Sequence, residues 1–213
     1  MSARAWIVTF LFLATLSPTA GFADEARGSQ VEDEKAELRL RPDATIFDSA
    51  DEWNLSLGGG YAHVIRNSAG DISVAEQGIR WGRVFSPSHG EHWHQGAWQF
   101  GLEFHPVFLV LQGETVYGSG VTPSIRRVFT AHGKMVPTLA IGLGILATTE
   151  KVPEGESRFN FTPQLGLGFY YFLRPRRALV FEYRFHHISN AGRTDRNPSI
   201  NSSMLVVGFS WFR

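Results

Sequence analysis

The chain has 213 residues, enough for one domain with a sizeable core and little for two. Lys plus Arg and Asp plus Glu both total 20, and the basic residues form no blocks, which argues against nucleic acid as a partner. Cysteine is absent, so disulfides, thiolate metal sites and a cysteine nucleophile are excluded together.

The first residues have the layout of a secretory leader. Arg4 supplies the positive start, Trp6 to Leu16 an apolar stretch, and Gly21-Phe22-Ala23 small residues where cleavage is decided. The apolar run is too short to span a bilayer as a helix, which takes ~20 residues. We therefore expect a signal peptide over 1–23, followed by a charged, flexible arm over 24–45 and a single domain over 46–213.

From Trp53 onward the chain alternates with a period of two, the signature of strands. Trp53, Leu55, Leu57 and Tyr61 share one parity and Asn54, Ser56, Gly58 and Gly60 the other. The pattern returns weakly over 72–85, clearly at Trp98-Phe104, weakly over 117–130, and clearly at Leu139-Ile145, Phe161-Phe169, 178–189 and 201–212. Eight strands are predicted, each with one face of large apolar groups and one of Gly, Ser and Ala.

A soluble sandwich also alternates, but its water-facing side is rarely built of the smallest residues. Small residues suit the crowded interior of a narrow barrel, and large ones suit lipid. The expected fold is all-β, an eight-stranded antiparallel up-and-down transmembrane barrel of the bacterial outer membrane. Arg80, Glu103, Arg126, Glu182 and Arg184 take lumen parity and are read as internal bracing that must pair.

Connections at Ala131 to Lys134 and Arg174 to Arg177 are short, whereas Glu150 to Arg158 and Asn190 to Ile200 are longer. Short turns belong to the periplasmic side and long ones to the exterior. Pro123 falls within a strand and cannot donate to the ladder, so a bulge is expected there. His105 to Gly113 reads either as a protruding strand or as a loop.

His92-Trp93-His94 has metal-compatible spacing, but no third ligand is near; no metal site and no cofactor are expected. Gly118-Ser119-Gly120 lacks the spacing and the following helix of a nucleophile elbow.

Chemistry concentrates in Phe181-Glu182-Tyr183-Arg184-Phe185-His186-His187-Ile188-Ser189-Asn190 and the stretch to Ser202. Leu179, Phe181, Tyr183 and Phe185 define the lipid-facing parity, which continues onto His187 and Ser189. Residues two apart on a strand are separated by roughly 6.5 to 7 Å, within which an imidazole can lean toward a serine hydroxyl. On the last strand the same face reaches back to Ser203 and Asn201, and Asn201 is placed to touch the far nitrogen of His187 and fix its tautomer. Ser189 lies eleven residues past Ala178; at ~3.3 Å per residue and ~40° of tilt this is roughly 28 Å, the outer headgroup level. Read alone, the two residues are ordinary interfacial polar groups at a strand end.

His187-Ile188-Ser189-Asn190 resembles the His-x-Ser-Asn motif of the outer-membrane lipid A 3-O-deacylase family, also described as acyloxyacyl hydrolase-like proteins. The resemblance implies Ser189 as nucleophile, His187 as general base and the Asn190 region as oxyanion stabiliser. It implies a glutamate twelve residues after the serine, where this chain has Asn201; Asp195 in the intervening loop is the alternative third group. His186 has lumen parity and is not the base.

The function this implies is a serine esterase that removes an ester-linked acyl chain from lipid A or lipopolysaccharide of the outer leaflet. Two alternatives stand beside it: a non-catalytic barrel with a structural or binding role, and a phospholipid-directed esterase or acyltransferase. The sequence leaves open which acyl chain is removed, how activity is regulated, and whether a homodimer forms.

Overall fold

A computed structural model describes residues 51–65, 68–86, 95–130, 133–154, 156–194 and 198–213. The leader over 1–23, the arm over 24–45, the His92-Trp93-His94 cluster and Asp195 lie outside these residues.

Eight strands follow one another: β1 (Asp51–Ala62), β2 (Ser73–Ser86), β3 (Gly96–Gln112), β4 (Glu114–Phe129), β5 (Met135–Thr148), β6 (Phe159–Arg174), β7 (Arg177–Ile188) and β8 (Ile200–Phe212). Each pairs with the next and β8 returns to β1, giving a closed antiparallel barrel without an edge. Closure satisfies every ladder from within, the condition for placing strands in lipid.

The alternation of the sequence becomes an inside and an outside. Leu57, Ile141, Leu143, Leu167 and Leu205 are each more than 60% exposed on the exterior. A wall of this kind is unfavourable in water and matched to hydrocarbon. Inside, space is short: a Cβ at Gly166 would meet the carboxylate of Glu182, and one at Gly142 would meet Thr122 and Gln164.

The lumen is layered. Phe108, Val110, Ile188, Ile200 and Met204 form an apolar cluster at the end of the barrel carrying the β7–β8 loop, and Val136, Tyr170, Phe172, Val180 and Phe212 form another at the opposite end. Between them lies an ion-pair network. Arg184 binds Glu182 at 2.8 Å, Glu76 at 2.8 Å and Glu103 at 3.2 Å. Arg126 also binds Glu182 at 2.8 Å, and Arg80 binds Glu52 at 2.7 Å. Glu52 further accepts from Gln99 and from the Tyr170 hydroxyl. The five lumen charges predicted from parity are all buried in this network, which also recruits Glu52 and Glu76.

His105 to Gly113 is strand almost throughout, with β3 running to Gln112 and a register shift between His105 and Phe108, around Pro106. Pro123 does not create a bulge: β4 and β5 pair in one register on both sides of it, at Val121 with Ile145 and at Ser124 with Gly142. The β4–β5 ladder omits the rungs at Thr122 and Pro123 and resumes in the same register, since the neighbouring strands already hold the alignment. Finally, the β3–β4 connection is the single residue Gly113, with φ of 88°, although it lies at the loop-bearing end. A positive φ of this kind is readily adopted only by glycine.

Candidate active site on the outer wall

Strand β7 is shared between two environments. Glu182, Arg184 and His186 point into the lumen, where His186 stacks on Phe108 with ring centroids 5.4 Å apart. Tyr183, Phe185 and His187 point outward between β6 and β8. The backbone carrying His187 is thus held from behind by the buried ion pairs of its own neighbours.

β7 and β8 are in register at His187 with Asn201 and at Phe185 with Ser203. His187 Nδ1 lies 2.7 Å from Asn201 Oδ1. The Asn201 amide nitrogen donates to Ser199 Oγ at 3.0 Å, with its oxygen toward the ring. Nδ1 is therefore the protonated nitrogen, and Nε2 keeps its lone pair for accepting a proton.

Ser189 continues the outward parity one step past the end of β7 and exchanges both backbone hydrogen bonds with Phe161, at 2.8 and 3.1 Å. Its side chain is largely covered, at 7% exposure. Among the described residues, no hydrogen bond joins its Oγ to His187.

Asn190 is fully engaged in shaping the turn that follows. Its Oδ1 accepts from the amides of Gly192 at 2.8 Å and Arg193 at 3.2 Å, and its Nδ2 donates to Thr194 Oγ1 at 2.6 Å. Ala191 and Gly192 both have positive φ, 55° and 75°. The asparagine side chain thus builds the loop beside the serine.

An apolar groove of about 700 Å³ opens on the outer wall beside His187 and crosses β6, β5 and β4 to Phe100 on β3. Its floor follows from the register. Leu143 pairs with Pro163, while the pairings on either side set Pro123 beside Leu143 and Pro163 beside His187. Compact proline rings alternate with larger neighbours, and Phe100, Ile141, Leu165 and Phe185 rise as walls. Pro163 also cannot donate to the ladder opposite His187.

On the far side of Asn201 lies a second polar group. His63 Nε2 is 2.6 Å from Ser203 Oγ, and the Tyr183 hydroxyl is 2.5 Å from that same oxygen. Sequence reading placed Ser203 on the outward face but missed His63, which follows β1 in a segment without alternation.

Inside the barrel, Glu76, Glu103 and His105 bring ligand-type atoms within 4.8 Å of one another. The Arg184 guanidinium already neutralises both carboxylates, so the cluster is read as bracing.

The family model described as Lipid A 3-O-deacylase (PagL) matches residues 75–210. The chain belongs to this family. Among solved structures, the outer membrane enzyme PagL is 18% identical with a TM-score of 0.53, covering 73% of this chain and 97% of that one. Neisserial surface protein A (NspA) is 14% identical with a TM-score of 0.53, covering 76% of this chain and 96% of that one. At these identities the likeness is one of fold, that of eight-stranded outer-membrane barrels. No curated protein sequence matches the chain. Lipid A 3-O-deacylase membership, together with such neighbours, makes this a bacterial outer-membrane protein of an ester hydrolase family.

Proposed function

We propose that the chain is an outer-membrane serine esterase that removes an ester-linked acyl chain from lipid A, with Ser189 as nucleophile and His187 as general base. The observation that carries this reading is the His187–Asn201 hydrogen bond, which commits Nδ1 and leaves Nε2 as acceptor on the face that also bears Ser189. The groove starting at His187 supports an amphiphilic substrate, because an acyl chain laid along it brings its ester to the imidazole.

In this mechanism Ser189 Oγ attacks the ester carbonyl as its proton passes to His187 Nε2. The Asn190 segment stabilises the oxyanion, and the sugar hydroxyl leaves with the proton held by His187. Water, deprotonated by the same nitrogen, then releases the fatty acid. Asn201 orients the imidazole without offering the negative charge that a carboxylate would bring to the imidazolium. The hydroxyl of Ser189 must rotate toward Nε2 when substrate binds, as catalytic hydrogen bonds often tighten only in the complex.

Mass spectrometry of lipid A from cells expressing the wild type or Ser189→Ala tests the reading. A species lighter by one acyl group is expected with the wild type only. Identical lipid A under equal expression of folded barrel refutes the proposal. It would favour a non-catalytic barrel, a reading to which the amide at position 201 already lends weight.

A further inference from the structure

The outer wall carries a second serine–histidine pair, and unlike the first it is already hydrogen bonded. Ser203 sits on the outward face of β8, and His63 lies just beyond the end of β1. We propose that Ser203 is a second acyl-accepting nucleophile, with His63 as its base, acting on esters of long-chain amphiphiles independently of Ser189.

The geometry is that of an activated hydroxyl. The Tyr183 hydroxyl lies 2.5 Å from Ser203 Oγ, and Ser203 Oγ lies 2.6 Å from His63 Nε2. With Tyr183 as donor to the serine and His63 carrying its own proton on Nδ1, the chain of contacts directs the serine proton at the base. The base is held from its backbone: His63 N donates to Asn201 O at 2.6 Å, and Ser68 Oγ donates to His63 O at 2.9 Å. Asn201 therefore positions both histidines, one by its side chain and one by its carbonyl.

A place for the chain exists here as well. Four residues further along β8, Val207 borders a separate outer-wall groove of about 430 Å³, lined also by Leu55, Leu57, Ile79 and Pro106. Four strand residues span ~13 Å, so an ester carbonyl at Ser203 allows its acyl tail to run into this groove. Leu205, 70% exposed, supplies apolar wall between them, and Tyr61, 72% exposed, flanks Ser203 on β1.

In the reaction, a bond forms between Ser203 Oγ and the acyl carbon while the ester's acyl C–O bond breaks. The serine proton passes to His63 Nε2 and then to the departing alcohol. The Tyr183 hydroxyl swings from the serine to the developing oxyanion. Attack by water, with its proton taken by His63, frees the carboxylic acid and restores the serine.

The test treats full-length protein in detergent micelles with an alkyl fluorophosphonate and maps the modified serine by peptide mass spectrometry. Folding of each variant is checked by its heat-modifiable electrophoretic migration. Ser203 is expected to be labelled in the wild type and in Ser189→Ala, about a hundredfold more slowly in His63→Gln, the low end of a general base's contribution. Tyr183→Phe is expected to slow it several-fold. Hydrolysis of a long-chain p-nitrophenyl ester by Ser189→Ala is expected to vanish in the Ser189→Ala/Ser203→Ala double variant. A folded Ser189→Ala protein that leaves Ser203 unlabelled overturns the proposal, as does labelling indifferent to His63. Label on Ser189 alone would overturn it while supporting the function proposed above; label on Ser203 alone would do the reverse.

Discussion

His187 Nδ1 and Asn201 Oδ1 meet at 2.7 Å across the β7–β8 ladder, directly opposite one another in register. The amide fixes which nitrogen is basic but adds no charge. Asn201→Glu is therefore expected to raise the deacylation rate about tenfold or more, each factor of ten being ~1.4 kcal/mol of barrier. Initial rates on purified lipid A in mixed micelles check this, and a rate no higher than wild type would separate this site from carboxylate-assisted triads.

Removing the contact acts the other way. Asn201→Ala leaves Nδ1 of a largely covered imidazole without its acceptor, a loss of about 1–3 kcal/mol. We expect kcat to fall about tenfold to a hundredfold with KM nearly unchanged, because the acyl groove is untouched. A change confined to KM would contradict the role given to Asn201.

The groove floor gives a specificity test. Pro123→Phe fills the space between Phe100 and Leu143 and leaves the lumen intact, since Pro123 faces outward. Turnover of long-chain esters is expected to drop about tenfold, while hydrolysis of a short-chain ester by the same protein stays within about twofold of wild type, the difference reflecting ~1.5 kcal/mol or more of lost apolar contact. Equal losses on both substrates would mean that the chain lies elsewhere.

The ion-pair network predicts stability. Arg184→Leu removes the guanidinium shared by Glu76, Glu103 and Glu182, of which Glu182 keeps Arg126. Breaking a buried pair by removing one partner costs about 3–5 kcal/mol, and here Glu76 and Glu103 lose their guanidinium together. Urea unfolding in lipid vesicles, followed by tryptophan fluorescence, should show a clear loss of stability. An unchanged midpoint would show that the network contributes nothing.

Parity carried most of the fold. Tyr183, Phe185 and His187 on one side and Glu182, Arg184 and His186 on the other were separable from sequence because strand period alone decides facing. Lateral alignment was harder to read. The groove arises from Phe100, Pro123, Leu143 and Pro163, on four different strands, and no local pattern states that they fall side by side. The unbroken register across Pro123 went unforeseen for the same reason: neighbouring strands, not the proline, set alignment there. Asn201 was found because β7 and β8 form one hairpin, whereas His63 reaches Ser203 from the opposite end of the barrel sequence. The commitment of the Asn190 side chain to Gly192, Arg193 and Thr194 depends on loop geometry that residue type does not encode.

The meeting of β1 with β8 gives the two serine–histidine pairs different histories. His187, Ser189 and Asn201 belong to a single hairpin and its loop, so they come together as soon as the last two strands zip. His63 and Ser203 are contributed from either side of the weld between first and last strands, so that pair exists only in a finished cylinder. A nascent polypeptide awaiting closure carries one of these constellations and lacks the other.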